Sequence, residues 1–224
     1  MEDSLPFFKQ NTEGRGHNCR KPAASVVFPQ PRTPRMIPDN MSSSKTAVCH
    51  QKPPLIRAAD PHSRDASAVA AIYNHYVTSS IITFEEHPIS PAEARRRITT
   101  VNEAGLPWLV AESDGAIVGY AYAAGWKPRP AYRHSSEVSV YVAPAHQGKG
   151  LGSALYGRLL PELERSGIHV ALSGIALPNP ASVALHERHG FCKVAQLCEV
   201  GFKFGRWIDV GYWQLTFSSS GSLH

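Results

Sequence analysis

A glycine-rich turn with polar side chains stands about two-thirds of the way along the chain. Its residues are Gln147, Gly148, Lys149, Gly150, Leu151, Gly152 and Ser153. The apolar stretch 140–142 before it is typical of a strand, and leucines at four-residue spacing after it are typical of a helix. A helix that begins on such a turn presents unpaired N–H groups to an anion, and glycines let that anion approach the backbone. The run therefore predicts a pyrophosphate site, to which Gln147 and Lys149 can add donors.

Two common phosphate motifs do not fit this run. A P-loop has Ser or Thr directly after its lysine, whereas Gly150 follows Lys149 here. A Rossmann fingerprint needs G-x-G-x-x-G near the start of a strand–helix–strand unit, and this run has a shorter spacing late in the chain. On this motif alone, a glycine-rich turn that only caps a helix and binds no anion remains an alternative.

A second motif runs from Asn179 to Phe191. Asn179 suits the N-cap of a helix and Gly190 suits the position after its end. The two motifs, in this order, resemble the acyl-coenzyme A motifs of the GNAT N-acetyltransferase superfamily. Longer blocks resemble its phosphinothricin N-acetyltransferase branch, which includes methionine sulfoximine and methionine sulfone acetyltransferases. These blocks include residues 107–112, 125–132 and 201–214, and the resemblance covers residues 55–217.

The order of the expected strands and helices suggests a three-layer α/β (α+β) fold with a mixed sheet, and the resemblance implies the same fold, with helices flanking the central sheet. The resemblance further implies acetyl-CoA as cosubstrate, no metal, and direct transfer of the acetyl group to the amine of a small amino-acid-like substrate. It also implies a homodimer, for which the aromatic residues Tyr212, Trp213 and Phe217 offer a candidate surface. The implied cofactor-binding residues are Val140, Tyr141, Val142, the turn residues 147–153, Asn179 and Ser182.

Two residues stand at positions implied to be catalytic. A thioester reacts only with a neutral amine, so a base must remove the ammonium proton, and Glu137 occupies the position of the family's general base. His186 occupies the position where many relatives have a tyrosine that protonates the leaving thiolate, and an imidazole can act as that acid or as a second base. The expected substrate-binding residues are Lys127, Arg129 and Tyr132 on a basic and aromatic loop, with Phe84 as a further pocket wall.

Apolar periodicity and turn residues predict the elements that must position these groups. Asp60 or Ser63 is expected to cap the first helix, Asp114-Gly115 to form a hairpin turn, and Pro161 to kink or restart the helix after the glycine turn. The expected strands are 55–57, 108–113, 116–123, 137–142, 170–175, 194–200 and 210–217, and the expected helices end near 77, 101, 166 and 189.

The charge is unevenly distributed along the 224 residues. Residues 1–54 contain eight basic and four acidic side chains and eight of the 18 prolines, so most of the net charge of +5 lies there. This composition predicts a disordered Pro-rich basic extension, followed by a domain at 55–217 and a loose tail at 218–224. The nearly neutral domain disfavours a nucleic-acid binder, and no apolar run is long enough to span a membrane.

Four cysteines without metal-ligand spacing predict neither a disulfide scaffold nor a zinc site. A cytoplasmic location is expected, with organellar targeting by residues 1–54 left open. Three alternatives also remain at this point: a non-catalytic acyl-CoA-binding module, an acetyltransferase for an unrelated small amine, and a nucleotide- or RNA-binding protein.

Overall fold

The computed structural model describes residues 53–218. Except for Pro53, Pro54 and Ser218, the predicted extension and tail lie outside the described residues. The strands are β1 (Leu55–Ala58), β2 (Trp108–Ser113), β3 (Ala116–Gly125), β4 (Ser135–Val142), β5 (Val170–Ala176), β6 (Cys192–Lys203) and β7 (Arg206–Thr216). The helices are α1 (Asp65–Ser79), α2 (Pro91–Glu103), α3 (Leu151–Arg165) and α4 (Pro180–Arg188), with short 3-10 turns at Pro130–Tyr132 and Pro144–His146.

The seven strands form one mixed sheet in the order β1-β2-β3-β4-β5-β7-β6. Only β4 and β5 pair in parallel, because α3 connects them as a crossover, and the other neighbours pair antiparallel. The hairpin between β2 and β3 turns at Asp114 and Gly115, both with positive φ (50° and 77°), as that sequence predicts.

Helices cover both faces of the sheet and give the predicted three layers. Leu109 and Ala111 of β2 pack into the cluster that includes Leu155 and Leu159 of α3. Their neighbour Val110 packs into the other cluster, with residues of α1 and α2. This alternation follows from the period of two in a strand, so each face of the sheet has its own apolar core.

Two local predictions hold only in part. The first helix begins at Asp65, and the Ser63 hydroxyl accepts a hydrogen bond from the Asp65 N–H at 3.2 Å, so of the two predicted capping residues Ser63 contacts the start of the helix. The Asp65 carboxylate is buried and accepts hydrogen bonds from Arg57 and from the Asp60 backbone, so the segment 60–64 forms a separate turn. Helix α3 continues through Pro161 without a restart, because only one backbone hydrogen bond is lost there while its leucine stripe is buried.

Candidate active site

Strands β4 and β5 separate at the centre of the sheet. Their parallel pairing is confined to residues 135–137 of β4 and 170–172 of β5. Beyond that point β4 continues beside β3 to Val142, while β5 continues beside β7 to Ala176. A crevice of about 50 Å³ opens between the separated strands, lined by residues 138–141 on one side and 173–176 on the other. The β4 side of this crevice therefore has backbone groups without a strand partner.

The glycine-rich turn lies at the far end of β4 and begins α3. Gly150 is the N-cap of α3 with φ of 76°, and no side chain caps the helix. Gly148 also has positive φ (72°), and a Cβ added at either glycine would meet no atom within 4 Å. The first N–H groups of a helix have no partner within it. The turn is thus an open, uncapped helix start of the shape that an anion requires.

The predicted cofactor residues make different contacts. Gln147 Nε2 donates to the Tyr76 hydroxyl at 2.7 Å, and that hydroxyl donates to the Val142 carbonyl. Ser153 Oγ lies 2.8 Å from His189 Nε2. The predicted cofactor residues Val142, Gln147 and Ser153 therefore already have hydrogen-bond partners within the protein.

Gly152 lets α3 pack closely on α4, and Asn179 begins α4 at the crevice. A Cβ at Gly152 would lie 3.1 Å from Leu185 Cδ2, so the glycine permits close packing of the two helices. Asn179 Oδ1 accepts from the Ser182 backbone N–H at 3.1 Å and caps α4, as the sequence predicts. Asn179 and Ser182 both line the crevice.

His186 is 2% exposed and lies on the crevice beside Tyr156. Its Nδ1 is 2.7 Å from the Ser182 carbonyl, which can only accept, so Nδ1 carries the proton. In the neutral imidazole Nε2 is then an acceptor, and the Tyr156 hydroxyl donates to it at 2.9 Å. Burial lowers the pKa of His186 and favours this neutral form.

Glu137 is the last residue of β4 that pairs with β5, and the crevice begins directly after it. Burial raises the pKa of its carboxyl group, against the opposing effects of a hydrogen bond from the Gly174 N–H and the charge of Lys127. A raised pKa in a cleft is a property of many general bases, although structural carboxylates can have it too.

A second cavity, of about 290 Å³, also contains Glu137 in its wall; we call it the acceptor pocket. Its wall is mostly apolar, with Glu137 as its charged side chain. The other lining residues are Ile82, Phe84, Gly174, Ala176, Leu197, Val200, Val210 and Tyr212. Ile82, Gly174 and Ala176 line both this pocket and the crevice, so the two cavities adjoin beside the Glu137 carboxylate.

The four predicted substrate residues are not all brought together. Phe84 lines the acceptor pocket. Lys127 packs over the Trp126 ring at 4.7 Å, and that ring meets pocket residue Tyr212 edge to face. Arg129 and Tyr132 are exposed beside a short 3-10 turn and do not line the pocket, so their roles stay predictions.

Several residues of the site were not identified from the sequence. Tyr156 lies within the leucine stripe of α3, so its periodicity indicates a core residue. The remaining wall residues come from the loop after α1 and from three strands, and nothing in their local pattern indicates a common pocket. These residues are Ile82, Gly174, Ala176, Leu197, Val200, Val210 and Tyr212.

Within residues 53–218, no cluster of three or more His, Cys, Asp or Glu side chains could hold a metal ion. In the same range, no helix combines the length and the apolar character needed to cross a bilayer.

Comparison with known proteins identifies the family of the chain. Residues 56–211 match the family described as the acetyltransferase (GNAT) domain. The chain belongs to this family and is an N-acetyltransferase.

Within the family, the chain is similar to one particular branch. It is 41% identical to a phosphinothricin N-acetyltransferase of Streptomyces viridochromogenes, over 75% of this chain and 90% of that protein. It is also 41% identical to an L-methionine sulfoximine/L-methionine sulfone acetyltransferase of Salmonella typhimurium, over 71% of this chain and 92% of the relative. A phosphinothricin acetyltransferase of Sinorhizobium meliloti, solved in complex with acetyl-CoA, is 35% identical with a TM-score of 0.71, covering 74% of this chain and 89% of its own.

Proposed function

We propose that the protein transfers the acetyl group of acetyl-CoA to the α-amine of a small amino acid of the phosphinothricin, methionine sulfoximine or methionine sulfone type. One observation carries this proposal: the carboxylate of Glu137 lies where the acceptor pocket and the crevice adjoin. An amine in the pocket and a thioester in the crevice would therefore meet beside a base.

The residues present fit acetyl-CoA. The uncapped start of α3 can hold the pyrophosphate on the N–H groups of residues 150–153, and the free backbone of residues 138–141 can pair with the amides of the pantetheine arm. The bound thioester would supply an activated acetyl group. Lys149 is exposed beside the turn and can add a positive charge for the phosphates.

Glu137 acts on the amine. An α-ammonium group cannot attack a carbonyl until it loses a proton, and the carboxylate is the proton acceptor in the pocket wall. The Gly174 N–H holds the carboxylate in place. Its raised pKa makes it a better proton acceptor than an exposed glutamate.

The apolar wall of the acceptor pocket favours a side chain that ends in a methyl group. Phe84, Leu197 and Val200 would contact a methyl-bearing side chain, as in methionine sulfone or phosphinothricin. Lys127 lies close enough to lower the pKa of Glu137, so it can also attract the carboxylate of the amino acid. A polyamine or other strongly cationic substrate fits this wall poorly.

The test is a thiol-release assay with acetyl-CoA and a panel of amines. The panel contains phosphinothricin, L-methionine sulfoximine, L-methionine sulfone, L-lysine and spermidine. We expect acetylation of the first three with kcat/KM at least about tenfold above the last two, since each tenfold ratio needs only about 1.4 kcal/mol of discrimination. Thiol release with spermidine alone would contradict the substrate class, and acetyl-CoA binding without release on any amine would favour a non-catalytic module.

We further propose that the neutral imidazole of His186 holds the Tyr156 side chain in place, and that the Tyr156 O–H turns from His186 Nε2 to the departing sulfur, where it donates a hydrogen bond that stabilises the thiolate without transferring its proton. We expect His186→Ala and Tyr156→Phe each to lower kcat by about 10²-fold, near the lower end of the effect of removing a hydrogen-bond donor from a developing anion. Since the two groups act as a unit, the double variant should lose little more than either single variant. Turnover is measured with each variant, and folding is checked by its melting temperature.

The dependence of kcat on pH distinguishes a neutral His186 from a His186 imidazolium that protonates the leaving group. An imidazolium would be lost as the pH rises through the lowered pKa of His186, so kcat would fall already below pH 6.5. We expect no such fall in kcat as the pH rises from 5 to 8. A decrease in that range that disappears in His186→Ala would show that the imidazolium is the acid.

We also propose a homodimer, formed through the β6–β7 hairpin. The candidate surface of Tyr212, Trp213 and Phe217 is wrong, since Trp213 is 2% exposed and packs in the core. The large exposed apolar side chains lie elsewhere on the hairpin, and such a patch is typical of an interface. They are Val194, Leu197, Val200, Phe202, Phe204 and Trp207.

We expect Trp207→Glu to convert the dimer to a monomer, because it places a charge in the centre of an apolar contact. Light scattering at micromolar concentration measures the mass. Leu55→Glu is the matched control, since Leu55 is similarly exposed but lies on β1 at the opposite edge of the sheet. A monomeric wild-type protein would contradict the proposal.

A further inference from the structure

Lys203, at the end of β6, is a buried lysine whose charged group is bound entirely by backbone carbonyls. The residue is 2% exposed. Its Nζ donates to the carbonyls of Val77 at 2.8 Å, Ser80 at 3.0 Å and Thr83 at 2.8 Å. An ammonium group has three N–H donors, and the three carbonyls use all of them. Nζ also lies 4.9 Å from the centre of the Phe204 ring.

These carbonyls belong to the end of α1 and to the loop that follows it. We call residues 80–84 the pocket loop. It contains Ile82 and Phe84, which both line the acceptor pocket. Lys203 therefore connects the pocket loop to the β6–β7 hairpin, which supplies Leu197, Val200 and Tyr212 to the same pocket.

Gly201, two residues before Lys203, makes a second connection. A Cβ at Gly201 would lie 2.4 Å from Cζ of Phe84 and 2.7 Å from Cε2. Real Cβ atoms do not approach other atoms so closely, so only glycine lets the Phe84 ring lie against this strand. Phe84 is 40% exposed and hence is not held by a surrounding core. Its position depends on the strand it lies against.

We propose that Lys203 is a positioning residue for the acceptor substrate: by holding the pocket loop against the β6–β7 hairpin, it fixes Ile82 and Phe84 in the wall of the acceptor pocket. This inference depends on the proposed function of that pocket. Lys203 lies among backbone carbonyls and does not line the pocket, so it acts through the loop and not on the reacting atoms.

Loss of the Lys203 ammonium group should weaken binding of the amine and leave binding of acetyl-CoA unchanged. Without the ammonium group, the three carbonyls lose their donors and the loop samples other positions, so the amine binds less well and its KM rises. The crevice and the start of α3 do not depend on these contacts, so the affinity for acetyl-CoA should be preserved. A residue that supported only global stability would lower the melting temperature and leave KM unchanged in the folded protein.

The experiment compares Lys203→Met with Lys203→Arg, using L-methionine sulfone as the amine. Met keeps the length and apolar stem of the side chain, and Arg keeps a charged donor. We expect Lys203→Met to raise KM for the sulfone at least about tenfold with kcat changed less, and Lys203→Arg to recover part of that loss. The calorimetric Kd for acetyl-CoA should stay within about twofold. Lys193→Met is the matched control, because Lys193 is an exposed lysine on the same strand.

Hydrogen exchange provides a readout that does not depend on activity. The amides of residues 80–84 should exchange faster in Lys203→Met and normally in Lys193→Met. If wild-type protein acetylates no amine, the proposed function fails, whereas the exchange rates still test the connection. A folded Lys203→Met with unchanged KM for the sulfone, or with unchanged exchange at 80–84, would overturn the proposal.

A variant that leaves the buried ammonium in place covers the case in which Lys203→Met does not fold. Gly201→Ala pushes the Phe84 ring away from β6, and this partly exposed ring can move outward without unfolding the protein. We expect the same rise in KM with an unchanged Kd for acetyl-CoA. If Lys203→Met does not fold and Gly201→Ala has a normal KM for the sulfone, the contact of β6 with Phe84 does not position the wall of the acceptor pocket. That result would overturn the proposal.

Discussion

Replacing Glu137 by Gln is expected to lower kcat by ~10²–10⁴-fold, the usual contribution of a general base. The amide keeps the shape of the side chain but cannot accept a proton. The start of α3 does not involve Glu137, so the calorimetric Kd for acetyl-CoA should be unchanged. Glu164→Gln is the control, because it removes an exposed carboxylate on α3.

The dependence of kcat/KM on pH tests the same role of Glu137. Burial raises the pKa of Glu137, and the carboxylate is active only when ionised, so activity is present above that raised pKa and is lost as the pH falls through it. The acid limb of kcat/KM should therefore lie above the ordinary pKa of 4.5 and be absent from Glu137→Gln. The loss should also shrink for amines of low pKa, which are already neutral. A normal kcat on every active amine from pH 6 to 9 would remove Glu137 from the mechanism.

Replacing Gly150 by Glu is expected to weaken acetyl-CoA binding by at least about 100-fold, or about 2.7 kcal/mol. The added side chain would enter the open space at the start of α3, where the phosphates would bind. Its charge would repel them, and like charges placed together at a binding site cost several kcal/mol. Isothermal calorimetry with acetyl-CoA measures the effect.

Two further variants separate charge from backbone strain in that result. Gly105 has φ of 71° and, like Gly150, open space at its Cβ position, but it lies in the turn after α2. Gly105→Glu should therefore carry the same strain, about 1–2 kcal/mol for a left-handed residue, without affecting acetyl-CoA. Gly150→Ala should weaken binding less than Gly150→Glu, since it adds no charge. A folded Gly150→Glu that binds acetyl-CoA normally would show that the phosphates bind elsewhere.

The sequence by itself determined the features that depend on residues close together in the chain. The hairpin turn at Asp114-Gly115 and the Asn179 cap are local hydrogen-bonding and φ preferences, so their residue types indicate them directly. The glycine-rich helix start is local for the same reason. Apolar periodicity likewise predicts the strands and helices and their buried faces, and the fold class follows from their order.

Tertiary structure decided what depends on residues distant in the chain. Periodicity shows that Trp213 and Tyr212 point to opposite faces of β7, but not that the Trp213 face is covered by the core and the Tyr212 face opens on the acceptor pocket. The separation of β4 from β5 depends on how far their pairing extends, which no local preference fixes.

The same limit applies to the polar partners within the site. Nothing near Lys203 in sequence indicates that its ammonium meets carbonyls more than 100 residues earlier in the chain. His186 and Tyr156 also lie on different helices, 30 residues apart, so their hydrogen bond exists only once α3 and α4 pack together. A buried charged or polar group needs a hydrogen-bond partner, and only the packed chain determines which partner is there.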